Sequence, residues 1–382
     1  MGFHEFSSPY DWSRIATYKR TAKAAFGGMI DLSVGSPVDP VPDSVRKALA
    51  VAANDPNAYG YPATAGTADL RAAIAEWFSA ARNVDLQAIH ADVVPTVGSK
   101  EGVALMASLL HFGEDDVVVQ PKVSYPTYEI GTQLAGAKVL KVDDVADVAS
   151  WRNVPGVKAV WVNSPCNPTG EVYSAERMAG IVAAAREIGA VVLSDECYAL
   201  MQWRGATNSA DGDPLQSTPC ALRSDVCAGS AEGVLVLYSL SKQSNMAGYR
   251  TAFIAGDESL IASMSAYRKQ IGQIIPGPVQ AAMAAGLRDL ESVKVQHARY
   301  RERLGVLVSA LRAYGYCTDM PDGALYVWVR AKSGDCWTDM EQLAKIGIIA
   351  SPGEFYGAPE CLRFSATASD EAIASAAERL AR

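Results

Sequence analysis

The sequence predicts an α/β fold: a large domain with a mainly parallel sheet covered by helices, joined to a smaller α+β domain. Two observations carry this. From about residue 93 to residue 255, short and nearly continuous apolar runs alternate with helical stretches, the pattern of strands buried on both faces. After about residue 290 the texture changes to a long charged helix followed by further strand candidates. A chain of 382 residues also suits two lobes better than one small core.

The elements follow in order. Residues 1–30 mix polar and aromatic side chains with little periodicity and are expected to form an arm or irregular lead-in. Asp31–Val34 is a short strand candidate stopped by Gly35-Ser36-Pro37, and Pro42-Asp43-Ser44 opens a helix through about Asn54. A turn-rich run from Asn57 to Gly66 holds Tyr59, Tyr61 and Pro62. Thr67 then caps a helix over Ala68–Arg82, where Leu70, Ile74, Trp77 and Ala81 recur at helical spacing.

Strands are predicted at Val93–Val97, Val117–Gln120, Lys138–Val142, Ala159–Val162, Ala190–Ser194, Val234–Leu240 and Ala252–Ala255. Helices are predicted from Gly98-Ser99-Lys100 to about His111 and over Ser174–Ile188. The polar stretch Met201–Gly233 is long for a loop and is expected to hold a short helix or to move. A helix over Gln296–Tyr314, strands at Ala324–Val329, Ile346–Ala350 and Cys361–Ser365, and a helix from Asp370 complete the chain. The implied division is residues 1–40 as arm and part of the small domain, 41–290 as the large domain, and 291–382 as the rest of the small domain.

A hydrophobic content of 49% with 20% charged residues is ordinary for a soluble globular protein. A net charge of −8 weighs against nucleic-acid binding. The 7 cysteines show no C-x-x-C or Cys/His cluster, so no metal centre is expected. Cys166 and Cys197 read as packing residues. No apolar run is long enough to span a bilayer, and no signal pattern opens the chain. No membrane partner and a reducing cytoplasmic setting are therefore expected.

Chemistry concentrates in SPCNPTG (Ser164–Gly170), SDECY (Ser194–Tyr198) and SLSKQSNMAGYR (Ser239–Arg250). Lys242 follows an apolar strand, where open α/β sheets collect ligands, and a lysine there can condense with an aldehyde cofactor. Alone it is an ordinary surface lysine. Ser239, Ser241 and Arg250 beside it suit a phosphate dianion. Gly98, Ser99 and Lys100 offer a helix N-terminus as a second anion-holding element. Asp195 ends a strand and is placed either to cap a turn or to pair with a protonated pyridine nitrogen. Tyr198 and Asn167 can hydrogen-bond a phenolate oxygen. Tyr125 is equally a stacking ring or a core aromatic. Together these groups hold a pyridoxal 5'-phosphate ring by each functional edge.

The ordered set N-P-T-G, D-x-x-Y, S-x-S-K and G-Y-R resembles the fold-type I pyridoxal-phosphate aminotransferases of class I/II, over nearly the whole chain. The resemblance implies an aspartate-aminotransferase-like fold and a Schiff-base lysine at Lys242. It puts Asn167, Asp195, Tyr198 and Arg250 at the cofactor. It implies that Gly35 and Arg363 join Asn167 at the substrate, with Arg363 gripping the α-carboxylate. It also implies a homodimer with shared active sites, in which Tyr61 reaches the phosphate in the neighbouring subunit. LSVGSPVDPVP, SYPTYEIG and SPGEFYG are similar to the N-succinyldiaminopimelate aminotransferases of lysine and diaminopimelate biosynthesis. Glutamate would be the donor and N-succinyl-2-amino-6-ketopimelate the acceptor. Both carry a distal carboxylate, for which Arg14, Lys19, Arg20, Lys100 and Lys122 are the candidate cations.

Rivals of the same fold are an aspartate, aromatic or kynurenine aminotransferase and a C–S β-lyase. Ser239–Lys242 also fits the S-x-x-K motif of β-lactamases, but the accompanying S-D-N and K-T-G motifs are missing. A cofactor-sensing transcription regulator would need a DNA-binding domain before Leu32–Pro37, for which no room is expected.

Overall fold

The computed structural model describes residues 11–56, 58–203 and 218–382. In chain order the strands are β1 (Ile30–Asp31), β2 (Ala91–Val97), β3 (Val117–Pro121), β4 (Lys138–Val142), β5 (Val157–Asn163), β6 (Val191–Asp195), β7 (Val234–Ser239), β8 (Thr251–Asp257), β9 (Tyr326–Arg330), β10 (Ile348–Ile349), β11 (Ser351–Pro352) and β12 (Cys361–Ser365). The main sheet has 7 strands in the order β2-β8-β7-β6-β5-β3-β4. Only β8 runs against its neighbours in this sheet.

Burial on both faces explains the continuous apolar runs. Along β7, Val234, Val236 and Tyr238 enter one core with Trp77, Phe78 and Phe253. Leu235 and Leu237 alternate to the other face, among Val94, Met106, Tyr128 and Trp161. Helices Asp43–Ala52, Ala68–Arg82 and Gly277–Arg288 pack together on the first side, and Ser99–Leu109 and Thr127–Leu134 on the second. Thr67 caps its helix as expected, accepting from the Leu70 amide at 3.2 Å.

A second layer joins antiparallel β11-β12-β9 and the parallel pair β1-β10. Helices Ile15–Ala24, Leu290–Ala313, Cys336–Lys345 and Asp370–Leu380 pack around it. Its core also takes in Tyr198, Met201 and Trp203 from the chain following β6.

Several expectations are corrected. The lead-in carries a turn at Trp12–Arg14 and a helix at Ile15–Ala24, which buries only Ile15 and Ala22 and so leaves a faint periodic signal. Residues 1–10 lie outside the described residues. The strand expected at Asp31–Val34 is β1, because the backbone then leaves β10 to run past the cavity. The charged helix starts earlier, at Leu290, where Asp289 accepts from the Ser292 amide at 3.0 Å. Of the stretch expected to hold a short helix or to move, residues 204–217 lie outside the described residues. The described part holds a helix at Ser224–Cys227. Among the described residues, no helix is long and apolar enough to cross a membrane.

Candidate active site

Because β2, β5, β6 and β7 are parallel, their carboxyl ends share one edge of the sheet. A cavity of about 430 Å³ opens there, roofed by residues of the second layer. Lys242, Asn167, Asp195, Tyr198, Ser239, Ser241, Arg250, Ser99, Lys100, Tyr125, Gly35 and Arg363 all line it. Gly98 and Tyr61 do not.

β7 delivers Lys242. Its last residue, Ser239, caps the helix Leu240–Gln243, and its hydroxyl accepts from the Ser241 amide at 3.1 Å and donates to the Ser241 hydroxyl at 2.8 Å. The Lys242 amine donates to the Gly35 carbonyl, and it lies 5.9 Å from the centre of the Tyr198 ring. Arg250 holds a left-handed backbone (φ 59°) and donates to the Ala247 carbonyl at 2.9 Å. The Gly98 amide is already bonded to the Thr96 carbonyl at 2.7 Å. Gly98 (φ 78°) contributes by what it lacks: a Cβ there would collide with the Arg250 guanidinium.

Asp195 ends β6 and is buried. Its carboxylate accepts from the Tyr128 hydroxyl at 2.8 Å and from the Cys197 amide at 3.1 Å. Burial pushes this carboxyl up, against the pull of both hydrogen bonds. Tyr128 is itself fixed by stacking on Trp161, with ring centres 4.4 Å apart. Tyr125 is half-buried and stands edge-on to Tyr128 at 5.6 Å.

Arg363 comes from β12. Its Nη1 donates to Asn167 Oδ1 at 2.7 Å and its Nη2 to the Ser33 carbonyl at 2.8 Å. Its Nε is buried and has no hydrogen-bond partner among the described residues. The guanidinium lies 4.0 Å from the centre of the Tyr326 ring and 4.8 Å from that of Tyr356. Asn167 is oriented in turn by Asn163, whose Oδ1 accepts from the Asn167 amide at 2.8 Å. The Tyr198 hydroxyl meets that of Tyr326 at 2.6 Å.

The candidate cations separate by their partners. Arg14 is paired with Glu354 and lies over Trp337. Lys19 pairs with Asp31 at 2.8 Å, Lys122 with Asp143 at 2.8 Å, and Arg20 donates to Thr17 at 2.9 Å. Lys100 lines the cavity and, among the described residues, makes no ion pair. Tyr61 is fully exposed.

Sequence reasoning passed over Tyr128, Asn163, Tyr326, Trp12, Phe355 and Tyr356. Asn163 and Tyr128 carried a faint signal, standing near Asn167 and Tyr125. Tyr326 had none, since a tyrosine in an apolar strand reads as core.

A lysine past the carboxyl end of a parallel strand shares this cavity with a buried carboxylate and two arginines, a set suited to amine and carbonyl chemistry. The chain belongs to the family described as aminotransferase class I and II, whose profile matches residues 27–380. This family depends on pyridoxal phosphate. The chain is 40% identical to the 4-dedimethylamino-4-oxo-anhydrotetracycline transaminase OxyQ of Streptomyces rimosus, over 97% of this chain and 98% of that one. It is 29% identical to the LL-diaminopimelate aminotransferase of Syntrophobacter fumaroxidans, over 97% and 95%. A solved probable N-succinyldiaminopimelate aminotransferase from Thermus thermophilus superimposes with a TM-score of 0.84 at 27% identity, covering 97% of this chain and 99% of that one.

Proposed function

We propose that the protein moves an amino group between glutamate and N-succinyl-2-amino-6-ketopimelate, with pyridoxal phosphate attached through Lys242. The main support is one convergence: Lys242, Asp195 and Arg363 meet in a single cavity although they come from different elements.

The donor set fits the cofactor. Asp195, buried at the end of β6, suits a protonated ring nitrogen. Ser99, Ser239, Ser241 and Arg250 make a cationic, hydroxyl-rich end for the phosphate, and the missing Cβ at Gly98 leaves the room Arg250 occupies. When bound, the cofactor supplies an electrophilic carbon for the amine and an electron sink for the bonds at the substrate α-carbon.

The chain's own residues do the rest. Arg363 binds the α-carboxylate through its guanidinium, held in place by Asn167 and Ser33. Lys242 Nζ takes the proton from the α-carbon and returns one on the way back. The Gly35 carbonyl aims that amine. Tyr125 offers a face for the ring, and Tyr198 and Asn167 offer donors for its oxygen. The exposed Tyr61 is assigned to the cavity of a second copy in a homodimer. The setting we assign is cytoplasmic.

The substrate choice is supported by Lys100, a cavity-lining cation that makes no ion pair among the described residues and suits a distal carboxylate. Two relatives named for diaminopimelate substrates favour the same choice. A second reading has its own observation: Trp12 stands edge-on to Phe355 at 5.1 Å in the cavity wall, a surface suited to an aromatic ketone. The relative OxyQ is named as a transaminase of a polycyclic 4-oxo-anhydrotetracycline.

Steady-state transamination separates the two. With glutamate as donor, the succinylated keto acid should give the highest kcat/KM in a panel of keto acids. Lys100→Gln should raise the KM for acceptors bearing a distal carboxylate by about tenfold, leaving pyruvate unaffected. Preference for an aromatic ketone would select the second reading, and pyruvate release from cystathionine would indicate a lyase.

A further inference from the structure

Tyr326 stands on β9, paired with the strand that carries Arg363, and its hydroxyl lies 2.6 Å from that of Tyr198. Both phenols are buried and both line the cavity. Two phenol oxygens this close need a proton between them, so one donates and the other accepts. The direction decides what Tyr198 can offer the cavity. If Tyr326 donates, the Tyr198 proton is free to point inward; if Tyr326 accepts, that proton is used up.

The charged and titratable groups facing Tyr326 are Lys242, Arg363, Tyr198, Cys197 and, on the helix Leu290–Ala313, Tyr300. Burial works to raise the Tyr326 phenol, but Lys242, Arg363 and the hydrogen bond with Tyr198 outweigh it and bring it below the ordinary phenol value. Burial holds Tyr198 well above that value. Of the pair, Tyr326 is the phenol with the Arg363 guanidinium set against its ring, a cation that favours loss of its proton. Its ring has a separate job, under the Arg363 guanidinium at 4.0 Å.

We propose that Tyr326 is a positioning residue that acts through Tyr198: its hydroxyl donates to the Tyr198 oxygen and so turns the Tyr198 proton toward the cofactor's ring oxygen. A donor that also accepts a hydrogen bond is polarised and strengthened as a donor. When Tyr326 releases its proton to solvent at higher pH, its oxygen becomes an acceptor only, the hydrogen bond reverses, and Tyr198 is withdrawn from the cavity. This rests on the cavity being a pyridoxal phosphate site.

The test uses holoenzyme and the pH titration of its visible absorbance in wild type, Tyr326→Phe, Tyr198→Phe and the double variant. Tyr326→Phe should displace the midpoint by about half a pH unit or more. The double variant should superimpose on Tyr198→Phe. Because the ring stays under Arg363, kcat should fall while the KM for glutamate stays within about twofold. Tyr326→3-fluorotyrosine keeps the packing and makes the phenol more acidic, so it should move the alkaline limb to lower pH even if Tyr326→Phe folds poorly. A titration indifferent to both substitutions overturns the proposal, as does a Tyr326→Phe shift that persists in full without Tyr198. A protein that stays colourless with added pyridoxal phosphate overturns this proposal and the cofactor assignment together. A coloured, active protein with an unmoved titration overturns only the role of Tyr326.

Discussion

The amine of Lys242 donates a hydrogen bond to the backbone carbonyl of Gly35, although 207 positions separate them. Lys242 is delivered by the large sheet, and Gly35 by the segment that follows β1 in the second layer. The contact joins the two layers at the cavity. Gly35 needs no left-handed backbone; its role is steric, because a Cβ there would run into the Tyr326 hydroxyl.

Gly35→Ala should therefore disturb the site from two directions, displacing either Tyr326 or the carbonyl that aims Lys242. A stability loss of about 1–3 kcal/mol is expected from overpacking. A fall in kcat of at least about tenfold should accompany it, since small misplacements at a reacting centre are costly. Urea denaturation and steady-state kinetics would report the two effects separately.

Lys242→Ala should remove transamination by about 10²–10⁴-fold or more, the scale of a lost general base. It should also abolish covalent trapping of the cofactor by borohydride, scored by intact mass. Retention of the borohydride adduct in the variant would move the attachment to another lysine.

Asp195 carries a pH prediction. Burial raises its carboxyl in the cofactor-free protein, so the native state holds that proton more tightly than the unfolded chain does. The associated stability is present below the unfolded pKa and is lost as pH rises through the folded one. Asp195→Asn removes that loss. The cofactor-free variant should be more stable than wild type at neutral pH, with the gap closing in acid, while transamination is lost. Denaturant midpoints at acid and neutral pH would check this.

Asp39 predicts the opposite sign. Burial raises its carboxyl, but hydrogen bonds from Arg303 and Gln296 and the charges of Arg303 and Arg299 outweigh burial and hold it below the ordinary value. Arg303 is only 3% exposed and reaches Asp39 at 2.7 and 2.8 Å. Its stabilisation is present above the unfolded carboxylate pKa and is lost as pH falls through the folded one. Asp39→Asn should destabilise by about 3 kcal/mol at neutral pH. The difference should shrink toward acid, as measured by thermal unfolding across pH.

Much of this was legible because the chemistry sits just past apolar strands. β7 announces Lys242, β6 announces Asp195, and the loop after β5 announces Asn167, each by local composition alone. The lead-in helix Ile15–Ala24 was not legible, since an element burying only Ile15 and Ala22 barely marks its own sequence. The partners that tune the site were equally hidden. Tyr128 reaches Asp195 across 67 positions and Tyr326 reaches Tyr198 across 128, and neither tyrosine differs locally from a core aromatic.

By itself, then, the sequence determined the fold class and marked Lys242 and the groups that line one cavity with it. Those depend on alternation and on residue types within a few positions of one another. Tertiary structure decided which cations are spent. Arg14, Lys19 and Lys122 find carboxylates on segments distant or folded back, and among the described residues Lys100 does not. It also decided that Arg363 is held by Asn167 and the Ser33 carbonyl and that Tyr326 sits against Tyr198. Charge pairing and proton sharing act over a few ångströms in space, a distance that position along the chain does not encode.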